Sequence, residues 1–522
     1  MTEQTVSAEV PSGDHRGVRV LRVIGAGAMG RGIAQVAVTA GIKVELADAV
    51  ESAVDAGIEF VTAMIRRSVE KGQRTGAEAE AAIALLGAGA APTAPGPDVD
   101  LVVEAVIEKL DIKQAIFAEL ETATPNAVLA TNTSSLSITA IGSVLDRPER
   151  LIGLHFFNPV PLMRLVEIVP GLRTGAESIA VARQVVTRFG YTGVLAKDTP
   201  GFLVNHLGRG LPTEALQVLS ETVAEPVDID RIARDTVGLR MGPFELMDLT
   251  GLDVSHPVLE TVFAGFHGDP RLRPSTVTAT RVSGKLLGRK TGAGFYRYDE
   301  GVQQVPEEPP IGADPAAVVV YVHADAALAE LLRSSGVRVL AEPAERAVSI
   351  VSPVGSPAYR AALAAGVNPT HAIGVDPLSV AGERLTVVVP AMLDPAVGAA
   401  AARVLAATGR RVTITADGPA PVAQRLIASI VNVGSAIAEA GLADPADIDL
   451  GARLGLGYPR GPLELGDAHG PRLVVRILDG LLEYTGDPRY RASAWLRTRA
   501  ELGMSLRDRG TRPADLHVGR EE

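Results

Sequence analysis

The stretch VRVLRVIGAGAMGRGIAQVAVTAGIKVELAD, residues 18–48, leaves few folds open to the chain. VLRVI has the β-branched and leucine character of a buried strand. It runs directly into Gly25-Ala26-Gly27-Ala28-Met29-Gly30. A helix with small apolar periodicity follows, from about Met29 to Ala40, and a second strand, KVELAD, ends in Asp48. Gly25 permits a tight turn, Gly27 lets the backbone approach a pyrophosphate, and Gly30 lets the helix lie close on the strand. The helix N-terminus at Ala28 and Met29 offers free N–H groups and a partial positive charge to phosphates. Asp48, 23 residues after Gly25, is placed to accept hydrogen bonds from ribose hydroxyls. A carboxylate there repels a 2′-phosphate, which favours NAD over NADP. Strand, glycines, helix, strand and terminal acid in that order predict a dinucleotide-binding unit.

The alternation continues. DLVVEAVIE (100–108) reads as a strand with an acidic end, followed by a helix from about Lys109 to Thr122. AVLATNTSSLSI (127–138) reads as another strand, ending in hydroxyl and amide residues. Ligands of open parallel sheets sit at the carboxyl ends of strands. Glu104, Glu108, Asn132 and Ser134 all fall there, although helix capping and turn formation also use such residues. Next comes GLHFFNPVPLMRLVEIV (153–169), apolar apart from His155, Asn158, Arg164 and Glu167. A histidine on an apolar face is commonly a satisfied core residue, and a glutamate in RLVEIV can point outward from a strand. The other reading is an acid–base pair. NPVP forces a turn between two strand-like segments, and that turn can bring His155 and Glu167 together as a base and its orienting carboxylate.

The whole chain bounds these readings. At 522 residues it calls for two to four domains. A net charge of −11 argues against nucleic acid as a main partner. Without cysteines, disulfides, thiolate metal sites and cysteine nucleophiles are excluded, and no metal site is expected. The N-terminal 17 residues are polar and read as a flexible tail without a signal peptide. Apolar runs around 385–408 are broken by Pro390, Asp394 and Pro395, so no membrane span is expected and a cytoplasmic protein is.

GAGAMGRGIA, ATNTSSLSI, GLHFFNPVPLMRLVEIV, KDTPGFLVN, GPFELMDLTGLD and GRKTGAGFYRY occur here in that order. Together, across residues 18–298, they resemble the 3-hydroxyacyl-CoA dehydrogenase family. The resemblance implies a Rossmann-type NAD-binding domain (18–200) and a helical substrate and dimerisation domain (201–299). It implies NAD-dependent oxidation of L-3-hydroxyacyl-CoA to 3-ketoacyl-CoA. Carried onto this chain, the family's catalytic histidine falls on His155, its partner glutamate on Glu167, and its motif serine and asparagine on Ser134 and Asn205. Its cofactor-contacting acid and lysine fall on Glu108 and Lys113, with Asn132 and Ser134 also beside the cofactor. The dyad suits the chemistry: imidazole titrates near neutrality and can accept the hydroxyl proton, and a carboxylate stabilises the resulting cation. His206 stands where the family usually has an arginine. Arg66, Arg67 and Lys71 form a basic helical stretch able to meet CoA phosphates, or simply a solvated face. Two alternatives carry weight: a dehydrogenase of a free hydroxy acid or sugar acid, and a non-catalytic NAD-binding sensor or scaffold.

GKLLGRKTGAGFYRY (284–298) follows no buried strand and opens no helix, so it reads as the folded end of the helical domain and not as a phosphate loop. EGVQQVPEEPPIGADP (300–315) reads as a proline-rich acidic linker. Beyond it, DIDRIARDTVGLRMGPFELMDLTG (228–251) returns as DIDLGARLGLGYPRGPLELGDAHG (447–470), at an offset of 219 with half the positions identical. An internal duplication is expected. The strand-like start of the second copy, AAVVVYVHAD, has no glycine motif after it. His155 maps to Gly374, Glu167 to Thr386 and Asn205 to Gln424. Residues 316–417 are therefore expected to form a degenerate Rossmann-like domain without cofactor chemistry, and 418–522 a second helical domain. The two helical domains are expected to pack about a pseudo-two-fold axis, giving either a monomer with an internal pseudo-dimer or a homodimer through another face.

Overall fold

A computed structural model describes residues 17–516, so the expected N-terminal tail lies, but for Gly17, outside the described residues. The chain divides into two compact units, the first ending at Phe202 and the second beginning at Leu203.

In the first unit β1 (Val20–Ile24), α1 (Ala28–Thr39), β2 (Lys43–Ala47), α2 (Glu51–Glu70), α3 (Gly76–Ile83) and β3 (Leu86–Ala88) are followed by β4 (Leu101–Glu104), α4 (Leu110–Ala123) and β5 (Val128–Thr131). Then come α5 (Ile138–Ile141), β6 (Leu151–Phe156), β7 (Leu165–Pro170), α6 (Ala176–Arg188) and β8 (Thr192–Leu195). The strands form one sheet in the order β3-β2-β1-β4-β5-β6-β7-β8. Every pairing is parallel except β6 with β7. The chain reverses direction on either side of β1, and such a switch point is where open sheets bind ligands. The core is the apolar strand residues, Leu21, Val23, Leu101 and Val103 among them, packed with Ile33 of α1, Val61 of α2 and Val185 of α6.

The second unit opens with α7 (Val204–Leu207), α8 (Gly210–Ser220), α9 (Pro226–Asp235), α10 (Pro243–Thr250), α11 (Leu252–Gly265) and α12 (Thr276–Ser283). A hairpin of β9 (Arg297–Asp299) and β10 (Val302–Gln304) closes this part. Residues 284–298 end the helical domain: the Asp248 carboxylate accepts the Phe295 and Tyr296 amides, both at 2.9 Å. The segment expected as a linker, 300–315, begins inside this hairpin and is tied down further along. Pro306 offers its carbonyl to Arg231 at 2.6 Å, and Glu308 pairs with the buried Arg384.

A second sheet follows, built from β11 (Val320–Val322), α13 (Ala326–Ser334), β12 (Val339–Leu340), β13 (Val348–Val351), α14 (Ala358–Ala364), β14 (Ala372–Val375), β15 (Arg384–Val389), α15 (Pro395–Ala406) and β16 (Arg411–Ala416). Its order is β12-β11-β13-β14-β15-β16, with β14 and β15 antiparallel. The sheet has the Rossmann-like character expected of it, and its strands align with the first copy as follows. At the 219-residue offset β15 and β16 begin where β7 and β8 do, and β11 begins where β4 does, not β1. The pairing Leu101↔Val128 of β4 and β5 returns as Val320↔Val348. The second copy is thus not a nucleotide domain that lost its glycines. It lacks the whole β1–α1–β2 unit. One residue is inserted before β13, so Asp198, which caps α5 through the Ile138 and Thr139 amides, corresponds to Asp417, which accepts the Ala358 and Tyr359 amides.

The chain ends in α16 (Val422–Glu439), α17 (Pro445–Gly455), α18 (Pro462–His469), α19 (Pro471–Thr485) and α20 (Ala494–Leu502), which repeat α7 to α12 in order. Asp230 accepts the Phe244 and Glu245 amides, and Asp449 those of Leu463 and Glu464, 219 residues on. The two helical sets pack on each other through α8 and α16, where Ser429 Oγ donates to the Gly210 carbonyl at 2.7 Å. Gly210 and Ser429 are the same position in the two copies, so the helices meet at equivalent residues, as a local two-fold relation requires. Among the described residues no helix is long and apolar enough to cross a membrane.

Candidate functional site

The glycine loop shows why each glycine stands where it does. Gly25 has φ +100°, and a Cβ there would lie 2.6 Å from the Ala105 carbonyl oxygen. A Cβ on Gly30 would lie 1.7 Å from the Gly25 oxygen, so helix and loop could not approach as they do. At Gly27 a Cβ would meet nothing within 4 Å. That open space above the N-terminus of α1, which no side chain caps, suits a pyrophosphate bound by Ala28, Met29 and their neighbours through backbone N–H groups. Asp48 follows β2 directly, beside this loop, its carboxylate accepting the Ala26 amide at 2.8 Å and the Val50 amide at 3.0 Å. Val50 and Ile107, which motif reading passed over, stand 56 % and 60 % exposed beyond the ends of β2 and β4. Large apolar side chains so exposed on both flanks of the loop suit the faces of an aromatic base. The residues present thus fit a dinucleotide.

A second group lies between the ends of β4 and β5. Glu108 accepts the Thr133 hydroxyl at 2.6 Å, the Ser134 amide at 2.8 Å, and the Ser135 amide and hydroxyl, both at 3.1 Å. Burial works against ionisation of Glu108, but the Thr133 hydrogen bond, the Lys113 charge and the serine donors outweigh it and hold the carboxyl below its usual range. Ser134 itself is exposed, its hydroxyl 3.4 Å from Glu108. Lys113 is buried, a placement the motif alone did not suggest. Its Nζ lies 2.6 Å from Glu104 and 3.4 Å from Glu108. Glu104, fully buried, also accepts the Thr131 hydroxyl and the Val106 amide, both at 2.7 Å. Asn132 spends its side-chain carbonyl on the Phe156 amide at 2.8 Å, tying the end of β5 to β6.

β6 and β7 pair antiparallel, with His155 directly opposite Glu167. His155 Nδ1 lies 2.5 Å from Glu167 Oε2. Both are buried, the histidine 6 % exposed and the glutamate 0 %. Phe157 and Phe202 flank the imidazole at centroid distances of 4.5 and 5.9 Å. The 158–161 turn seats on α1, where a Cβ on Gly32 would come within 2.9 Å of Val160. Strand pairing and this seat give the imidazole one orientation, and the carboxylate on Nδ1 leaves Nε2 to meet a ligand.

The structure gathers His155 with Glu167, and Glu108 and Lys113 with the serine loop. Asn205 belongs to the second unit, half-buried on α7, with its carbonyl accepting Arg209 Nε at 2.8 Å. Arg66, Arg67 and Lys71 are exposed at the end of α2, with Arg66 3.3 Å from Glu80. His206, where an arginine is usual, is buried and pushed down to about 3, so it is neutral, and stacks on Phe266 at 4.3 Å. In the second copy the matching positions hold no such chemistry. Gly374, the match by sequence offset, faces Val388, and the residue opposite Thr386 is Asp376, whose amide donates to the Thr386 carbonyl at 2.9 Å, so no histidine stands there. Gln424 binds the Pro353 carbonyl at 2.8 Å, the Gly355 amide at 3.0 Å and Asp376 at 2.9 Å.

Comparison with known proteins finds two family models in the chain. The family model for the 3-hydroxyacyl-CoA dehydrogenase NAD-binding domain matches residues 20–199. That for the 3-hydroxyacyl-CoA dehydrogenase C-terminal domain matches twice, at 201–298 and 422–515. A 3-hydroxyadipyl-CoA dehydrogenase of Escherichia coli K12 is 35 % identical over 492 residues, 93 % of this chain and 98 % of the relative. A 3-hydroxybutyryl-CoA dehydrogenase of Bradyrhizobium diazoefficiens is 37 % identical over 290 residues, 55 % of this chain and 98 % of the relative. The crystal structure of a 3-hydroxybutyryl-CoA dehydrogenase from E. coli K12 superposes with a TM-score of 0.81 at 34 % identity, covering 93 % of this chain and 99 % of that one.

Proposed function

The chain belongs to the 3-hydroxyacyl-CoA dehydrogenase family, and from that premise we propose that it oxidises an L-3-hydroxyacyl-CoA reversibly to the 3-ketoacyl-CoA, with His155 as general base oriented by Glu167. NAD, bound at the glycine loop, supplies the hydride acceptor. The observation that carries the reading is the buried contact between His155 Nδ1 and Glu167. As the hydride leaves C3, the hydroxyl O–H bond breaks and its proton passes to His155 Nε2. The imidazolium then faces the Glu167 carboxylate, which balances its charge in a closed site. Ser134 and Asn205 hydrogen-bond the reacting oxygen. Glu108 and Lys113 hold the serine loop at the cofactor's edge, Asn132 keeps that loop against β6, and Asp48 takes the ribose hydroxyls. Val50 and Ile107, exposed beyond β2 and β4, would offer apolar surface to the adenine. Arg66, Arg67 and Lys71 attract the CoA phosphates. The names of the relatives point to short acyl chains, as in 3-hydroxybutyryl-CoA and 3-hydroxyadipyl-CoA.

The test is turnover of acetoacetyl-CoA and longer 3-ketoacyl-CoAs with NADH, followed at the nicotinamide absorbance. Steady consumption is expected, with NADH strongly preferred to NADPH because Asp48 repels the 2′-phosphate. No turnover on any of these thioesters would favour the sensor reading. Equal kcat/KM for the two cofactors would remove Asp48 from the ribose.

A further inference from the structure

Six non-glycine residues have a positive φ among the described residues. Thr222, His267, Lys285, Glu300 and Ala324 are exposed. Phe202, with φ +47°, is aromatic and only 2 % exposed. The left-handed region is disfavoured for residues with a Cβ, bulky ones above all, whereas glycine takes it without strain. A buried phenylalanine in that conformation calls for a reason that lies in its ring.

The chain before it fixes where that ring goes. The Asp198 carboxylate accepts the Ser137 hydroxyl at 2.8 Å and the Ile138 and Thr139 amides at 3.0 and 2.8 Å. Pro200 and Gly201, the latter with φ +73°, then turn the chain, and the Phe202 amide donates to the Thr199 carbonyl at 2.8 Å. The side chain leaving this turn reaches His155, with the ring planes tilted by 60°.

The duplication supplies an internal control. At the 219-residue offset Phe202 matches Pro421 and Gly201 matches Ala420. Pro421 has an ordinary φ of −55°, and Ala420 is not left-handed. In that copy Asp376, not a histidine, stands opposite Thr386. The left-handed turn is thus present in the copy that has the His155–Glu167 contact and absent from the copy that lacks it.

We propose that Phe202 is a positioning residue for the base: its ring shields the His155–Glu167 contact from water and holds the imidazole in one orientation, and the strained backbone is what places it there. The proposal rests on the reading of His155 as the general base. Excluding water lowers the local dielectric and strengthens the pull of Glu167 on the imidazolium. A ring held still keeps Nε2 aimed at the hydroxyl proton, and small misplacements of a reacting group are slow to react.

Three measurements on the full-length chain test this. In single-turnover oxidation of L-3-hydroxybutyryl-CoA by NAD, Phe202→Ala should lose about 10- to 100-fold in rate, and Phe202→Leu less, with NAD affinity unchanged in both. In proton NMR, the downfield Nδ1 proton of the pair, identified by its loss in His155→Gln, should broaden through exchange with water in both variants. A side chain that only fills space would leave the signal and the rate of the folded protein as in the wild type, and that result overturns the proposal. Phe202→Gly should melt above Phe202→Ala, because glycine alone is relaxed at this φ. The reverse order would show that the backbone is not strained and would also overturn it. Should Phe202→Ala fail to fold, Phe202→Leu carries the rate and NMR measurements. Absence of turnover by the wild type would instead overturn the dehydrogenase reading on which this rests.

Discussion

Position 167 carries a glutamate and position 386, its match in the second copy, a threonine; the two residues show what burial asks of a polar group. Glu167 is buried against His155, so its charge has a use. In the second copy Asp376, beside Thr386, is buried with one oxygen unpaired, and the Thr386 hydroxyl is unpaired as well. Burial raises the Asp376 carboxyl to about 6, against the hydrogen bonds from Gln424 and Leu378. Because the folded value lies above the ordinary 3.8, its stabilising contribution is present below about pH 4 and lost as pH rises through about 6. The difference is on the order of 2–3 kcal/mol. Asp376→Asn should therefore flatten this part of the pH–stability profile and stabilise the chain at pH 8 relative to pH 5; melting curves that stay parallel at the two pH values would count against it. The contact was legible in the sequence because a short turn between two apolar strands leaves few registers, and one of them sets His155 opposite Glu167. The Glu104–Lys113 pair was not, because an acid at a strand end reads as a ligand contact until burial shows that it neutralises a lysine nine residues on.

Among the elements, the glycine loop and α1 carry the sharpest contrast between folding and binding. A Cβ at Gly30 collides with the backbone of Gly25, whereas one at Gly27 meets no protein atom. Gly27→Val should thus fold with an unchanged far-UV spectrum and a melting temperature near wild type, yet lose NADH binding by fluorescence titration. Tight NADH binding by this variant would show that the cofactor does not approach the loop there. The β1–α1–β2 unit was readable because glycine spacing and strand character coincide. The second sheet was harder to read. Its strands run two to six residues, and short apolar runs look alike whichever strand they repeat. The helical repeat kept its capping aspartates and post-cap glycines, and so announced the duplication and its offset, while only pairing register revealed that the copy begins at the equivalent of β4.

For the whole molecule, the joint between the helical sets is one-sided. Arg425 reaches Glu214 at 2.6 Å and Glu221 at 2.5 Å. The mirror positions hold neutral His206 against Val433 and Ala440. Two copies of the first half, brought together the same way, would bury Glu214 and half-bury Glu221 with no arginine to meet them, and breaking a buried pair such as that of Glu214 typically costs about 3–5 kcal/mol. A chain cut near residue 310 should therefore become insoluble or self-associate loosely, measured by sedimentation at micromolar concentration, and His206→Arg in that fragment should favour a defined dimer. A stable, active monomer of residues 1–310 would show that the halves do not depend on each other. The joint also bears on where chemistry happens, since a second half without an ionisable dyad leaves one reacting centre per chain. Its most direct test is single-turnover reduction of acetoacetyl-CoA by NADH bound to full-length His155→Gln. Loss of about 10²–10⁴-fold in rate with NADH affinity unchanged is the expected result; a wild-type rate would contradict the account.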